Sequence, residues 1–248
     1  MGKSTRFFAV LACLFLGLSL GASKGAVVTY TATDVGAGPG DPWPLSTAAA
    51  SSFDTAAAAI APASLINFES APIGSFSSLT VAPGVTITGA DYLGNNQTIL
   101  NSPAEPGTPP VDGFNTTLGG SEFVEVQGGT LTFSFASPTQ FFGAYYTGIQ
   151  SEFFSDYLTF SDGTSQTIDI TNPDPSAGGV TFLGFTDAGK SITSITVDAG
   201  SPPGAGDYLG IDDVRYETPV PEPASISLLA VGAVGLLGRR RNRKLSIA

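Results

Sequence analysis

The sequence predicts an all-β protein, an antiparallel β-sandwich preceded by one short Ala-rich helix. Composition supports this fold class, because 31 Gly, 18 Pro, many Thr and Ser and few Lys or Glu disfavour helices. Runs of Phe, Tyr, Val, Ile and Thr recur along the chain, and these residues favour strands. Gly, Pro and Asp turns separate the runs, which is typical of a sandwich or a barrel.

Residues 1–26 predict a secretory signal peptide with a helical apolar centre. Lys3 and Arg6 precede the apolar run 7–20, and small residues follow it. This order of charged, apolar and small residues is that of a signal peptide. Cleavage within residues 22–27 removes Cys13, the sole cysteine, so the mature domain is expected to hold no disulfide. An uncleaved membrane anchor is the alternative.

Residues 27–64 predict a strand, a loop and an Ala-rich segment ahead of the sandwich. The strand is expected at 27–34, and the loop at 36–44 contains Trp43, the sole tryptophan. Residues 45–60 are the best helix candidate in the mature chain, and Pro62 ends it. An Ala-rich linker is the alternative interpretation.

Residues 65–218 predict the β-sandwich itself, and about 150 residues suffice for one core. Residues 130–135 alternate, which places Leu131, Phe133 and Phe135 on the buried face. Residues 161–164 form a tight turn between two strands, the pattern of a hairpin. The strands are expected at 65–69, 85–88, 130–135, 141–147, 157–160, 166–170, 181–185, 191–197 and 208–216.

Residues 219–248 predict a short membrane-spanning helix between a proline-rich motif and a basic cluster. Residues 224–238 are uncharged and as a helix would extend roughly 22 Å. Five cations follow and form a stop-transfer signal: Arg239, Arg240, Arg241, Arg243 and Lys244. The motif is Val220, Pro221, Glu222 and Pro223, whose prolines keep the chain extended and open to proteases. A buried core helix is the alternative for the apolar span.

The motif 220–223, the span 224–238 and the basic tail 239–244 together resemble the PEP-CTERM sorting signal of Gram-negative bacteria. The resemblance implies that an exosortase, a membrane-embedded transpeptidase-like enzyme, cuts the chain at this motif. It further implies an exported protein that is anchored in the inner membrane as a precursor. The mature protein would then be released or transferred to the cell surface, often beside exopolysaccharide.

Residues 180–185, 192–197 and 211–214 are similar to the closing strands of jelly-roll domains. Carbohydrate-binding modules and other PEP-CTERM ectodomains share this pattern. The resemblance implies a jelly-roll-like sandwich for residues 65–218.

Charge is divided unevenly along the chain. Eight of the ten basic residues lie in the two end segments, whereas twenty of the 21 acidic residues lie between residues 27 and 218. Lys190 and Arg215 are the basic residues of that region, so its net charge is about −18. Such a surface repels nucleic acid and anionic lipid and attracts divalent cations.

The chain contains no histidine, which excludes Ser-His-Asp and Cys-His catalytic centres and His-bound zinc. A carboxylate pair, as in glycoside hydrolysis, is the chemistry that remains. The candidate pairs are Glu122 with Glu125, Glu152 with Asp156, and Asp212 with Asp213. The alternative is that all of them are solvated surface carboxylates, and we therefore expect a protein that is not an enzyme.

The spacing of Ile211 and Val214 predicts a buried carboxylate. A flat strand cannot bury two residues three apart on one face, so either a bulge or burial on both faces is required. Asp212 or Asp213 then turns inward and needs a partner. Arg215 is one candidate partner, and a calcium ion bound also by Glu69 and Asp207 is the other. The jelly-roll resemblance implies calcium at these positions, between the first and last strands, and an exposed Asp is the remaining alternative.

Sugar binding requires an exposed aromatic face with polar groups beside it. The candidates are Tyr92, Tyr145, Tyr146 and Tyr157. The alternative is that these strand tyrosines belong to the core. We therefore expect an exported, non-catalytic structural or adhesive protein of the extracellular matrix. The second hypothesis is an exopolysaccharide-binding module, and the third is a glycoside hydrolase.

Overall fold

The computed structural model describes residues 27–102, 109–150, 154–160, 163–187, 189, 191–200 and 208–218. The predicted signal peptide at 1–26 lies outside these residues, as do Asp207, Glu152 and the whole sorting segment 219–248. In the described part of the chain, no helix has the length and apolar character needed to cross a membrane.

The described residues form fourteen strands, one α-helix and one short 3₁₀ helix. The helices are α1 (Pro44–Ala58) and the 3₁₀ helix (Pro175–Ala177). The strands are β1 (Val28–Val35), β2 (Ala63–Ile66), β3 (Gly74–Phe76), β4 (Ser78–Ala82), β5 (Val85–Ala90), β6 (Gln97–Leu100), β7 (Phe123–Gln127), β8 (Thr130–Thr139), β9 (Phe141–Thr147), β10 (Phe154–Phe160), β11 (Ser165–Ile170), β12 (Gly179–Thr186), β13 (Ile192–Asp198) and β14 (Tyr208–Glu217).

The strands form two antiparallel sheets. The first has the order β1-β12-β9-β14-β7-β6-β3, and the second has the order β11-β10-β13-β8-β5-β4. Strand β14 pairs with β7 through its first half and with β2 through its second half, while β9 lies along its other edge. The prediction of a mostly β chain with antiparallel sheets is confirmed.

The main core lies between the two sheets and contains side chains of both. The predicted alternation of β8 is confirmed, because Leu131, Phe133 and Phe135 are buried. The rings of Phe133 and Phe135 contact Phe142 of the first sheet. The ring centroids of Phe133 and Phe142 lie 5.4 Å apart. Period-two alternation on a half-buried strand therefore defines one wall of this core.

Helix α1 covers the outer face of the first sheet and forms a second core there. Phe53, at the centre of the helix, is fully buried and lies over Gly143 of β9 and Gly184 of β12, which are register partners. A Cβ atom built on Gly184 would lie 2.5 Å from Phe53 Cδ2, so the two glycines make room for the ring. Ala50 and Ala57 complete the buried stripe. The Ala-rich segment is thus a docked helix and not a linker.

The predicted strand at 65–69 is three residues shorter at its C-terminal end than expected. Strand β2 ends at Ile66, and Phe68 adopts a positive φ of 58°. This left-handed conformation is incompatible with a regular strand. It turns the chain so that Glu69 leaves the sheet and faces the loop 115–122, which is described below.

Candidate functional site

Strand β14 contains the bulge that the spacing of its apolar residues requires. Ile211 and Val214 are both fully buried, and the pairing of β14 with β9 shifts register between Asp212 and Arg215. Asp213 occupies the irregularity with φ of 49°. The extra residue lets both apolar side chains enter the main core and leaves Asp212 on the helix side of the sheet, opposite Tyr145.

Asp212 is fully buried and holds the loop of residues 115–122 against the sheet. Its Oδ2 accepts hydrogen bonds from the backbone N–H groups of Thr116 at 2.8 Å and Thr117 at 3.0 Å, and from Thr116 Oγ1 at 3.0 Å. Asp213 Oδ1 accepts from Thr117 Oγ1 at 2.9 Å. Burial, with a smaller contribution from the negative charge of Asp213, raises the pKa of Asp212 to about 7.

Glu69 holds the other end of the same loop. Its Oε1 accepts from the backbone N–H groups of Ser121 at 2.8 Å and Glu122 at 2.9 Å. Asn115 Nδ2 donates to the same oxygen at 3.0 Å. The loop 115–122 is therefore attached at one end to the first sandwich segment and at the other to the last strand.

Three oxygen atoms converge on the side-chain nitrogen of Asn115. Glu69 Oε1 lies at 3.0 Å, the carbonyl oxygen of Glu122 at 2.9 Å and Asp212 Oδ2 at 3.2 Å. An amide group has two hydrogens, so it cannot serve three acceptors at once. Asp212 Oδ1 and Glu122 Oε2 are also buried without a hydrogen bond from any described residue. Asp212 Oδ1 is therefore a buried oxygen of this cluster with unused acceptor capacity.

Oxygen ligands of this kind fit calcium, a hard cation. The described residues contain no group of three Asp, Glu, His or Cys side chains close enough to hold a metal ion. A cation here would therefore need Asn115 or a carbonyl oxygen in addition to Glu69 and Asp212. Asp207, the fourth predicted ligand, lies outside the described residues. Asp213 is connected to the cluster by the hydrogen bond that it accepts from Thr117.

Arg215 is not the partner of the buried aspartate, so that expectation is wrong. The Arg215 Nε atom lies 3.0 Å from Asp54 Oδ1 on helix α1. Arg215 instead donates to the backbone oxygen of Asp213 at 2.7 Å.

The predicted tyrosines do not form an exposed binding face. Tyr146 is fully buried in the main core and Tyr145 is buried under helix α1, so the prediction is wrong for both. Strand β9 is buried on both faces, by the main core on one and by helix α1 on the other. Such a strand shows no alternation of apolar and polar residues, so the sequence pattern cannot tell a buried tyrosine from an exposed one. Tyr92 is half-buried beside Gln127, at the opposite end of β7 from the loop 115–122. The side chain of Tyr157 lies outside the description.

Trp43 is an aromatic residue that lines a cavity. It lines an open groove of about 470 Å³ together with Asp41 and with the loop 115–122. The Trp43 ring packs 6.3 Å from the centroids of both Phe114 and Tyr145, and its Nε1 donates to Gly38 O at 3.1 Å. The described lining consists of Pro39, Gly40, Asp41, Trp43, Asn115, Thr116, Thr117, Leu118, Gly119 and Gly120.

The candidate carboxylates whose side chains are described, Glu122, Glu125, Asp212 and Asp213, are not among the described lining residues of this groove. Glu122 contacts Glu69 through its backbone N–H, and Glu125 is buried within the electrostatic reach of Asp112. Burial, followed by the charge of Asp112, raises the pKa of Glu125 to about 7. Asp212 is covered by the loop 115–122, and the pair Glu152 and Asp156 falls outside the described side chains.

Three solved structures are similar to this chain at low identity. The K2 cleaved adhesin domain of Lys-gingipain is 14% identical with a TM-score of 0.43, over 63% of this chain and 100% of that domain. TmCBM61 in complex with β-1,4-galactotriose is 14% identical with a TM-score of 0.35, over 62% and 95%. The catalytic domain of a GH87 α-1,3-glucanase in complex with tetrasaccharides is 15% identical with a TM-score of 0.28, over 60% and 30%. At these scores none of them decides what this chain does.

The C-terminal region of the sequence matches a known family model. A search of the curated proteins found no match. The family model described as the PEP-CTERM protein-sorting motif matches residues 219–242, which include the motif 220–223 and the basic residues 239–241. Such a motif implies an exported protein that an exosortase processes at the membrane. The chain therefore carries a PEP-CTERM sorting motif directly behind its β-domain.

Proposed function

We propose that this chain is a bacterial surface or extracellular-matrix protein with a non-catalytic, structural or adhesive ectodomain of jelly-roll type. One observation supports the division into cargo and sorting signal. Strand β14, in the interior of the first sheet, ends at Glu217, and the sorting motif begins at 219. Thr218 N still donates to Pro62 O at 2.8 Å. Cleavage within the motif would thus remove no strand of the sandwich.

Mass spectrometry of the mature C-terminus tests the sorting step. In a host that encodes an exosortase, the wild-type chain should lose the apolar segment 224–238 and the basic tail and leave the membrane fraction. The change Glu222→Ala should retain the full chain, whereas the neighbouring change Thr218→Ser should process normally. A wild-type product that still carries Ala248 would contradict the proposal.

A structural calcium ion at the Glu69–Asp212 cluster is the second part of the proposal. The three oxygens that converge at Asn115 and the buried Asp212 Oδ1, which has no hydrogen bond, support it, as does the excess of acidic residues in the region 27–218. Glu69, Asn115 and Asp212 would hold the ion, with Asp213 and Asp207 as further candidates. Calcium would link the start of the sandwich to its last strand and fix the loop 115–122.

Thermal unfolding with and without calcium tests this site. We expect millimolar calcium to raise the Tm of the wild-type chain relative to EGTA, and Asp212→Asn to abolish the rise. Because the pKa of Asp212 is raised to about 7, calcium must displace a proton, so the rise should be larger at pH 8 than at pH 6. The exposed change Asp174→Asn is the charge-matched control and should respond as the wild type does. An unchanged wild-type Tm at pH 8 would exclude the ion.

Exopolysaccharide binding is the second candidate function, and the groove beside Trp43 favours it. A groove that combines an aromatic ring with carboxylate, amide and hydroxyl groups has the character of a small-ligand site. Retention of the protein on exopolysaccharide isolated from its host, with bovine serum albumin as the reference, tests this function. The glycoside hydrolase alternative has less support, because Glu122, Glu125, Asp212 and Asp213 are not among the described lining residues of the groove.

A further inference from the structure

We infer that the groove beside Trp43 binds a neutral saccharide, with the indole ring as its stacking face. This inference rests on exopolysaccharide binding, the second candidate function, and assigns it a site and a class of ligand. The groove volume of about 470 Å³ lies within the range of small-ligand sites in proteins.

The orientation of the Trp43 ring is fixed before any ligand arrives. Phe114 and Tyr145 support it from below, and the hydrogen bond from its Nε1 to Gly38 O prevents rotation. Trp43 is half-buried, so part of its ring faces the groove. A rigid aromatic side chain loses little conformational entropy on binding, which favours affinity.

A second part of the groove lining is also fixed by hydrogen bonds. It consists of the first residues of the loop 115–122, whose ends are hydrogen-bonded to Glu69 and to Asp212. Leu118 belongs to this part of the lining and is fully exposed. The exposed leucine and the tryptophan together give the groove lining two apolar side chains, which suit the C–H faces of a sugar ring.

Polar residues line the same groove. Asp41 Oδ2 accepts from Gly38 N at 2.8 Å, which orients the carboxylate and leaves further acceptor positions on it. Asn115 and Thr117 also line the groove, and because Asn115 Nδ2 donates to Glu69 and Thr117 Oγ1 donates to Asp213, these two side chains can offer a ligand their oxygen atoms as acceptors. Apolar surfaces next to hydrogen-bonding groups match a ligand with C–H faces and hydroxyl groups.

Charge distinguishes a neutral saccharide from an anionic one. Asp41 is the one charged residue in the described lining, and the region 27–218 holds twenty acidic residues against two basic ones. Uronates and phosphates would be repelled by this field. The ligand is therefore a neutral sugar chain.

The sole tryptophan of the chain makes the site directly observable, because all tryptophan emission comes from the groove. We would titrate the full chain in mild detergent with cellotetraose, maltotetraose and β-1,4-galactotriose, and with tetragalacturonate as the anionic counterpart. We expect a saturable change in emission with at least one neutral sugar and none with tetragalacturonate.

Variants measured by calorimetry assign the binding to the groove. Trp43→Ala should weaken the affinity at least tenfold, and Asp41→Asn and Leu118→Asp at least threefold. Leu118 is fully exposed, so Leu118→Asp serves where Trp43→Ala fails to fold. Tyr92→Ala, at the far end of β7, should leave the affinity unchanged.

The possible negative results are distinguishable. If host exopolysaccharide retains the protein but Leu118→Asp and Asp41→Asn bind it as well as the wild type, the groove is not the site and the binding function stands. If neither exopolysaccharide nor any sugar binds, the binding function fails as well. If tetragalacturonate binds more tightly than every neutral sugar, the ligand class is wrong.

Discussion

Arg215 Nε on β14 lies 3.0 Å from Asp54 Oδ1 on α1, so an ion pair joins the last strand to the helix that covers it. The guanidinium also lies 5.2 Å from the ring centroid of Tyr145 and 5.5 Å from that of Phe182. Arg215 is largely buried at 17% exposure, whereas Asp54 is half-exposed at 50%. The aromatic contacts are therefore the better-shielded part of this arrangement.

This difference in exposure predicts unequal effects for the two partners. An exposed ion pair contributes roughly 0–1 kcal/mol, whereas a desolvated cation–π contact contributes up to about 2 kcal/mol. Asp54→Asn should lower the free energy of unfolding by less than about 1 kcal/mol, and Arg215→Met by about 2 kcal/mol or more. Urea unfolding measures both. Equal losses would show that the ion pair, and not the aromatic packing, is the dominant interaction.

The sequence predicted those elements whose pattern is local. The spacing of Ile211 and Val214 predicted a buried carboxylate and a bulge as one way to produce it, and the bulge is observed. Alternation predicted the buried face of β8, and the Ala-rich segment predicted α1. In each case neighbouring residues alone determine the outcome.

Strand β7 was missed because its residues are buried on both faces, which removes alternation as a signal. Short strands such as β3 and β6 give too few residues for a pattern. The contacts of the site are less predictable still. Asp212 meets Thr116 across 96 positions of sequence, and Trp43 reaches the same loop from the N-terminal segment. Such contacts depend on topology, which local sequence patterns do not specify.

The contact of Phe53 with the Gly143–Gly184 pair predicts a test of helix docking. Phe53→Ala should lower the free energy of unfolding by about 3–5 kcal/mol, because it empties a fully buried site. Gly184→Ala should cost about 1–3 kcal/mol, since its new methyl group would overlap the Phe53 ring. The double variant should cost less than the sum, because the methyl group then occupies vacated space. A double-mutant cycle by urea unfolding measures the coupling, and strict additivity would contradict this packing.

The raised pKa of Glu125 predicts that stability falls as pH rises. Burial and Asp112 favour the protonated carboxyl in the folded chain, so its pKa is about 7 against 4.5 in the unfolded chain. Between these values the folded state binds more protons than the unfolded state, and the free energy of unfolding therefore decreases with pH. Asp212 shifts in the same direction and adds to the effect when calcium is absent.

The variant Glu125→Gln isolates this contribution. It should change the Tm little at pH 4, where the wild-type carboxyl is protonated in both states. It should raise the Tm above that of the wild type at pH 8, where the wild-type chain carries a buried charge near Asp112. Thermal melts in EGTA across this range provide the measurement, with the exposed change Asp174→Asn as control. Parallel curves for wild type and Glu125→Gln would show that Glu125 ionises normally.

The positive φ of Asp213 predicts that the bulge tolerates few residues. Asn adopts the left-handed region almost as readily as Asp, whereas a β-branched side chain does so at considerable cost. Asp213→Asn should therefore change the free energy of unfolding by less than about 0.5 kcal/mol, and Asp213→Val should lower it by about 2 kcal/mol. The matched control is Asp169→Val on the exposed face of β11, where a regular strand favours valine. If urea unfolding showed the two valine variants to be equally stable, the prediction would be wrong. Asp213 would then not have the positive φ that places Asp212 beneath the loop 115–122.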